Sequence, residues 1–218
     1  MFKKQRFVLS ALALIGLGTG TSQAMLIDRG GGLIYDTTLN VTWMQDALYA
    51  QTTGASSNGR LNWADAMAFA ASTVYYDSER DTYWDDWRLP STINLPSSEG
   101  YDTTGMSSEL AYMYYINLGY APNTSHDPST PSPTSTNYNP FINLTYRAYW
   151  SGTQADRPGN AWAFHFHFGS QEIGGMSDPS RVWLVRDGDV SVPEPATLGL
   201  LGLGLAGVGL VRRKRKQA

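Results

Sequence analysis

Residues 161–168 read Ala161-Trp162-Ala163-Phe164-His165-Phe166-His167-Phe168. Aromatic side chains recur at every second position. An extended strand therefore places Trp162, Phe164, Phe166 and Phe168 on one face and His165 and His167 on the other. The reading is a strand with an aromatic inner face and a polar outer one. Upstream, Leu33-Ile34-Tyr35 and Val41-Thr42-Trp43-Met44 flank the turn-rich Asp36-Thr37-Thr38-Leu39-Asn40, which predicts a hairpin. Asp28-Arg29-Gly30-Gly31-Gly32 precedes it as a turn. Tyr149-Trp150-Ser151-Gly152-Thr153 reads as a strand entering a turn, and Arg181 to Arg186 as a last strand before the turn Asp187-Gly188-Asp189.

Two helices stand among these strands. Asn62 has the character of an N-cap with Asp65 three residues on. The alanine-rich run 63–71 then sets Trp63, Ala66, Met67 and Ala70 on one face. Ser107 is expected to cap a second helix through Leu118, stopped by Gly119. Its stripe of Leu110, Met113, Tyr114 and Leu118 reads as core. Residues 51–60 read as a Gly/Ser/Thr/Asn loop. Residues 121–140 are Pro, Ser, Thr and Asn almost throughout, too polar to bury a core, and read as a mobile loop.

The two ends carry targeting signals. Lys3, Lys4 and Arg6 precede the apolar stretch Phe7–Leu17, and Ser22-Gln23-Ala24 supplies a small-x-small site. Residues 1–24 therefore read as a secretory signal peptide cleaved after Ala24. At the other end Pro193-Glu194-Pro195 is followed by a charge-free run and then by Arg212-Arg213-Lys214-Arg215-Lys216. From Ala196 the run has 16 residues, a helix of ~24 Å against a hydrocarbon core of ~30 Å. Snorkelling arginines or a thin bilayer would close that gap. The basic block marks the cytoplasmic side, so the chain before Pro193 is placed across the membrane.

Between these ends, residues 25–195 hold eight arginines, no lysine and all 19 acids, a net charge of −11. Such a body is expected to be repelled by nucleic acid and by anionic lipid or polysaccharide, which leaves neutral glycans, cations and basic partners. The chain has no cysteine. That excludes disulfides, thiol nucleophiles, thiolate zinc and iron–sulfur clusters. Stability must come from one core of ordinary size, filled by an abundance of Trp, Tyr and Phe.

The tail order of Pro-Glu-Pro, apolar helix and basic block resembles the PEP-CTERM sorting signal of exported bacterial proteins. That resemblance covers residues 192–218 and implies processing by the membrane transpeptidase exosortase at Pro193, Glu194 and Pro195. The body resembles a second family. Leu33-Ile34-Tyr35-Asp36, Val41-Thr42-Trp43-Met44-Gln45-Asp46, Asp86-Trp87-Arg88-Leu89-Pro90, Tyr149-Trp150-Ser151-Gly152-Thr153, Ala161-Trp162-Ala163-Phe164 and Val182-Trp183-Leu184-Val185-Arg186 occur in order. Together they are similar to the Lcl C-terminal domain family, a domain of unknown function. The resemblance implies an α+β, C-type-lectin-like fold related to the formylglycine-generating group over an ectodomain of residues 25–191. It brings no catalytic residues, and its shared positions read as fold determinants. Trp87 and Leu89 are expected to point inward, with Arg88 paired to an acid and Pro90 ending the strand.

The residues offer two candidate metal sites. The acids of 77–86, chiefly Asp77, Glu79 and Asp81, could gather a calcium ion, although the EF-hand glycine and terminal glutamate are missing. A solvated acidic loop is the plainer reading. His165 and His167, on one strand face, could share a metal with an acid or His126 as third ligand. The plainer reading there is a polar outer face, so the expected cofactor set is empty, with calcium as the alternative. No Gly-x-Ser-x-Gly elbow, phosphate-binding loop or His-Glu-x-x-His occurs. The expected function is a non-catalytic glycan- or protein-binding module of the cell surface or extracellular matrix, linked to exopolysaccharide and biofilm. The alternative is an exported hydrolase acting on matrix polysaccharide through paired carboxylates. Partners would be the export machinery and exosortase, the membrane before processing, and an extracellular glycan or surface protein, with no nucleic acid.

Overall fold

The structure is a computed structural model that describes residues 26–122 and 139–190. Residues 1–25, 123–138 and 191–218 lie outside it, and with them the signal peptide and Ala24, His126, Pro193-Glu194-Pro195, the expected membrane helix and most of the 121–140 loop. Among the described residues no helix is long and apolar enough to cross a membrane.

The predicted hairpin forms. β2 (Leu33–Asp36) and β3 (Val41–Met44) pair antiparallel, with Ile34 opposite Trp43 and Asp36 opposite Val41. Asp36 closes the turn by accepting from the Thr38 and Leu39 amides. β1 (Leu26–Asp28) adds to one edge, and β12 (Val185–Asp187) pairs with β3 on the other. Both ends of the described domain thus meet in one four-stranded sheet, in the order β1-β2-β3-β12.

A six-stranded sheet forms the rest of the frame. It comprises β4 (Arg60–Leu61), β7 (Gly100–Tyr101), β8 (Ala148–Gln154), β9 (Asn160–His165), β10 (Ser170–Gly175) and β11 (Ser180–Arg181). The spatial order is β4-β11-β8-β9-β10-β7. Only the β11–β8 contact is parallel. A separate hairpin joins β5 (Tyr75–Asp77) to β6 (Thr82–Trp84).

The helices follow from local signals. A single turn, α1 (Tyr49–Thr52), was not foreseen. The Asn62 side chain accepts the Asp65 amide at 2.9 Å and caps α2 (Trp63–Ser72), as its sequence predicts. Ala66 and Ala70 of α2 are buried, while Trp63 anchors the rim by donating from Nε1 to the Ser151 carbonyl. The second helix is capped by Ser108, not Ser107. Ser108 Oγ accepts the Ala111 amide, whereas Ser107 is held by Asp102. α3 (Glu109–Tyr112) then widens into a π-helical turn, Met113–Asn117. The added residue per turn lets adjacent Tyr114 and Tyr115 both face the core, so the buried face is broader than the expected stripe. Gly119, at φ +66°, ends it as expected.

Two hydrophobic clusters fill the molecule. One gathers Ile34, Trp43, Tyr114, Tyr149, Phe164, Phe166, Trp183 and Val185 against the α3 region. The other gathers Leu33, Met44, Trp87, Leu89, Trp150, Ala163, Val182 and Leu184 against α2. Successive residues of β2, of β9 and of 182–185 go to opposite clusters, because strand side chains alternate. Both strand faces are therefore covered, and burying each large side chain contributes about 1.5–3 kcal/mol.

That double burial corrects three expectations. Residues 181–186 are not one strand: β11 and β12 belong to different sheets, and Val182-Trp183-Leu184 crosses between them with Trp183 Nε1 donating to the Met44 carbonyl at 2.8 Å. Residues 149–153 do not enter a turn, since β8 runs on to Gln154 through a register irregularity. Residues 161–168 are not all strand. β9 ends at His165, Phe166 stays buried in the following turn, and Phe168 is exposed. Gly169 makes the turn possible. It sits at φ +77°, and a Cβ there would lie 2.6 Å from Tyr114 Cε1.

Candidate functional site

The acidic stretch folds inward. Asp77 is fully buried and pairs with Arg80 at 2.7 Å, while accepting from Trp84 Nε1 and the Glu79 amide. Burial would raise its pKa, but the hydrogen bonds from Trp84, Arg80 and Glu79 outweigh that and hold it low. The solvated-loop expectation therefore fails at Asp77, whose lone pairs are committed within the hairpin. Asp81 turns away to accept from the Tyr76 hydroxyl. His165 and His167 also separate. His167 lies in the turn after β9, and the two ring centroids are 6.4 Å apart. Among the described residues no three His, Cys, Asp or Glu side chains are grouped to hold a metal ion.

A different cluster is brought together at one end of the six-stranded sheet. Arg60 on β4 stands opposite Arg181 on β11, and Arg181 stands beside Tyr149 of β8. Ala148, next along β8, faces His165 at the end of β9. Arg60, Arg181, Ala148 and His165, with Arg147, Asn58, Pro179 and Ser180, line an open cavity of 460 Å³. Among the described residues no carboxylate lines it.

Its electrostatics set it apart from the rest of an acidic body. Arg29, Arg80, Arg88 and Arg186 are each matched to a carboxylate. Arg60, Arg147 and Arg181 form no ion pair among the described residues. Arg60 donates to the Pro179 carbonyl, and the Arg147 guanidinium lies over the Tyr146 ring at 4.7 Å. Arg181 Nε and His165 Nδ1 are buried without a hydrogen-bond partner. Burial lowers the pKa of Arg181, and Arg147 and Arg60 add repulsion. Burial also lowers that of His165; Glu172 opposes this, while His167 and Arg147 reinforce it. Three cations and a neutral imidazole thus share a concave surface with unmatched polar atoms.

A second depression adjoins it. The His165 ring packs against Phe168 at 5.2 Å, and Phe168 with Tyr101 lines a shallow surface of 540 Å³ that also holds Glu99, Ser170, Gln171 and Glu172. Tyr101 is 53% exposed and Phe168 38%, so both rings present a face to solvent. The register carries the connection, as His165 faces Ser170 and Ser170 faces Tyr101. Sequence reasoning reached His165 but none of the arginines, which come from three separate strands or their flanks.

The Lcl C-terminal domain model matches residues 32–186, and the chain belongs to that family. The PEP-CTERM protein-sorting motif matches residues 191–216 and implies an exported protein sorted through an exosortase. No curated protein and no solved structure matches the chain.

Proposed function

We propose that the domain is a non-catalytic binding module, presented at the cell surface or in the extracellular matrix after exosortase processing, that recognises an extracellular glycan or surface protein. The observation that carries this reading is the open cavity at Arg60, Arg147, His165 and Arg181, whose arginines form no ion pair among the described residues. Preformed, unmatched donors at a concave surface suit ligand capture, and the neighbouring exposed Tyr101 and Phe168 offer faces for a sugar ring. The family resemblance adds a C-type-lectin-like architecture to this reading. The pairing of both domain ends in one sheet supports it. We place this module in exopolysaccharide retention or biofilm, a setting that a sorted, exported protein would suit. The test is a pull-down of the exported protein with native matrix polysaccharide and surface proteins. Saturable binding without product is the expected result, and absence of binding to either fraction would defeat the reading.

One observation favours a second reading, a polysaccharide hydrolase. Glu99 and Glu172 both line the Tyr101–Phe168 depression, and two facing carboxylates are what glycoside hydrolysis requires. Product release from matrix polysaccharide, abolished in Glu172→Gln, would establish it in place of the first.

A further inference from the structure

We propose that the cavity formed by Arg60, Arg147, Arg181 and His165 is an oxyanion site, taking a carboxylate, sulfate or phosphate group, and that His165 gains a proton as the anion enters. The proposal deepens the binding-module reading and rests on this cavity being its site. It does not require the ligand to be a polymer.

Three features of the cavity lead to it. Four of the eight ectodomain arginines are neutralised by carboxylates, and of the four with no ion pair among the described residues three converge here, all but Arg157, in a body that carries −11. Guanidinium groups present planar pairs of donors that match two oxygens of an oxyanion. Arg181 Nε is buried without an acceptor, a state that costs free energy until an acceptor arrives. The volume of 460 Å³ suits an acid group together with one sugar-sized unit.

The proton linkage follows from what surrounds the imidazole. His165 ends β9 and meets Arg147 and Ala148 on β8, Glu172 on β10, His167 and Phe168 in the turn, and Arg181 and Arg60 across the cavity. Arg147 and His167 repel a proton, and Glu172 attracts one. An anion seated among the arginines offsets their repulsion and stabilises the imidazolium. His165 Nδ1, now without a partner, becomes one more donor. Anion binding therefore strengthens as pH falls, and each anion bound carries a fraction of a proton with it.

The experiment is calorimetric titration of the full chain with inorganic sulfate, with glucuronate and with an acidic oligosaccharide, at pH 8 and pH 5.5, in buffers of different ionisation enthalpy. The expected result is binding at both pH values, roughly tenfold tighter at the lower one, with net proton uptake. Arg181→Gln should weaken sulfate binding by roughly tenfold or more, the loss of one charge-assisted bond. Arg147→Gln, at an exposed position, should do the same if Arg181→Gln impairs folding. His165→Gln should bind with no pH dependence and no proton uptake. Arg157→Gln, in the β8–β9 turn outside the cavity, should change nothing. Failure of both small anions to bind would overturn the proposal, as would equal losses in Arg157→Gln and Arg181→Gln. Small-anion binding with no polymer or protein ligand would support the oxyanion site while removing the surface-binding reading. Polymer binding indifferent to Arg181→Gln and Arg147→Gln would do the reverse.

Discussion

Arg88 grips Glu109 with both arms of its guanidinium, Nη1 to Oε2 and Nη2 to Oε1, each at 2.8 Å. The pair ties the Trp-Arg-Leu-Pro segment to the first turn of α3, and Glu109 also accepts the Ser91 amide at 2.7 Å. Such a planar, two-point contact cannot be reproduced by an ammonium. Glu109→Ala should destabilise the domain by about 2–4 kcal/mol, and Arg88→Lys should fail to restore most of the loss in a double-mutant comparison. Thermal denaturation checks both. Equal melting temperatures for wild type and Glu109→Ala would show the pair to be idle.

The buried Asp77–Arg80 pair gives a pH prediction. Asp77 is held below the ordinary carboxyl range in the folded state. The unfolded chain therefore binds its proton first as pH falls. The stabilisation is fully present above the ordinary carboxyl pKa, near 4, and is lost as pH drops through the lower folded value. Asp77→Asn should lower the melting temperature at pH 7, with the gap to wild type closing in acid. Because Arg80 and Trp84 occupy the carboxylate, a chelator should leave the wild-type melting temperature unchanged. A chelator-induced fall would restore calcium to the acidic hairpin.

Gly169 should tolerate no side chain. Its backbone is left-handed, and an added methyl would fall 2.6 Å from Tyr114 Cε1 and 2.7 Å from the Tyr115 hydroxyl. Those rings belong to the packed face of the π turn and have little room to retreat. Gly169→Ala should cost about 2–3 kcal/mol from strain and overpacking together, a fall of several degrees in melting temperature for a domain of this size. An unchanged melt would mean that the turn rearranges freely.

Helix capping separates two adjacent serines. Ser108 accepts the Ala111 amide of α3, and Ser107 instead donates to Asp102 at 2.6 Å. Ser108→Ala and Asn62→Ala should each cost about 1 kcal/mol. Both losses should appear in denaturant melts as a shifted midpoint with an unchanged slope.

The elements that could be read from the sequence are those fixed by neighbours in the chain. The β2–β3 hairpin follows from two apolar runs around five turn-forming residues, and α2 from Asn62, Asp65 and the alanines. Where long-range packing decides, local pattern is silent. Val182-Trp183-Leu184-Val185 has no turn residue, yet it passes from one sheet to the other because each side chain is buried on whichever side it faces. The 161–168 alternation continues past the end of β9 because Phe166 is buried by the turn itself. The cavity was legible only at His165. Arg60, Arg147 and Arg181 meet through β4–β11–β8 pairing across more than a hundred residues of chain. A faint signal existed in the exclusive use of arginine, but nothing in the spacing separates these three from Arg157 or from the four that serve as ion-pair partners.

The closing contact between β3 and β12 has a mechanical consequence. Residue 190 lies just beyond β12, on the side of the chain that leads to the sorting signal. Tension from the C-terminal side would meet the Arg29–Asp189 pair and the Gly188 amide bond to the Asn40 carbonyl, and then the β12 hydrogen bonds to Val41–Trp43. A pull on the C-terminal side would thus be taken up at the seam where both ends of the described domain meet in one sheet.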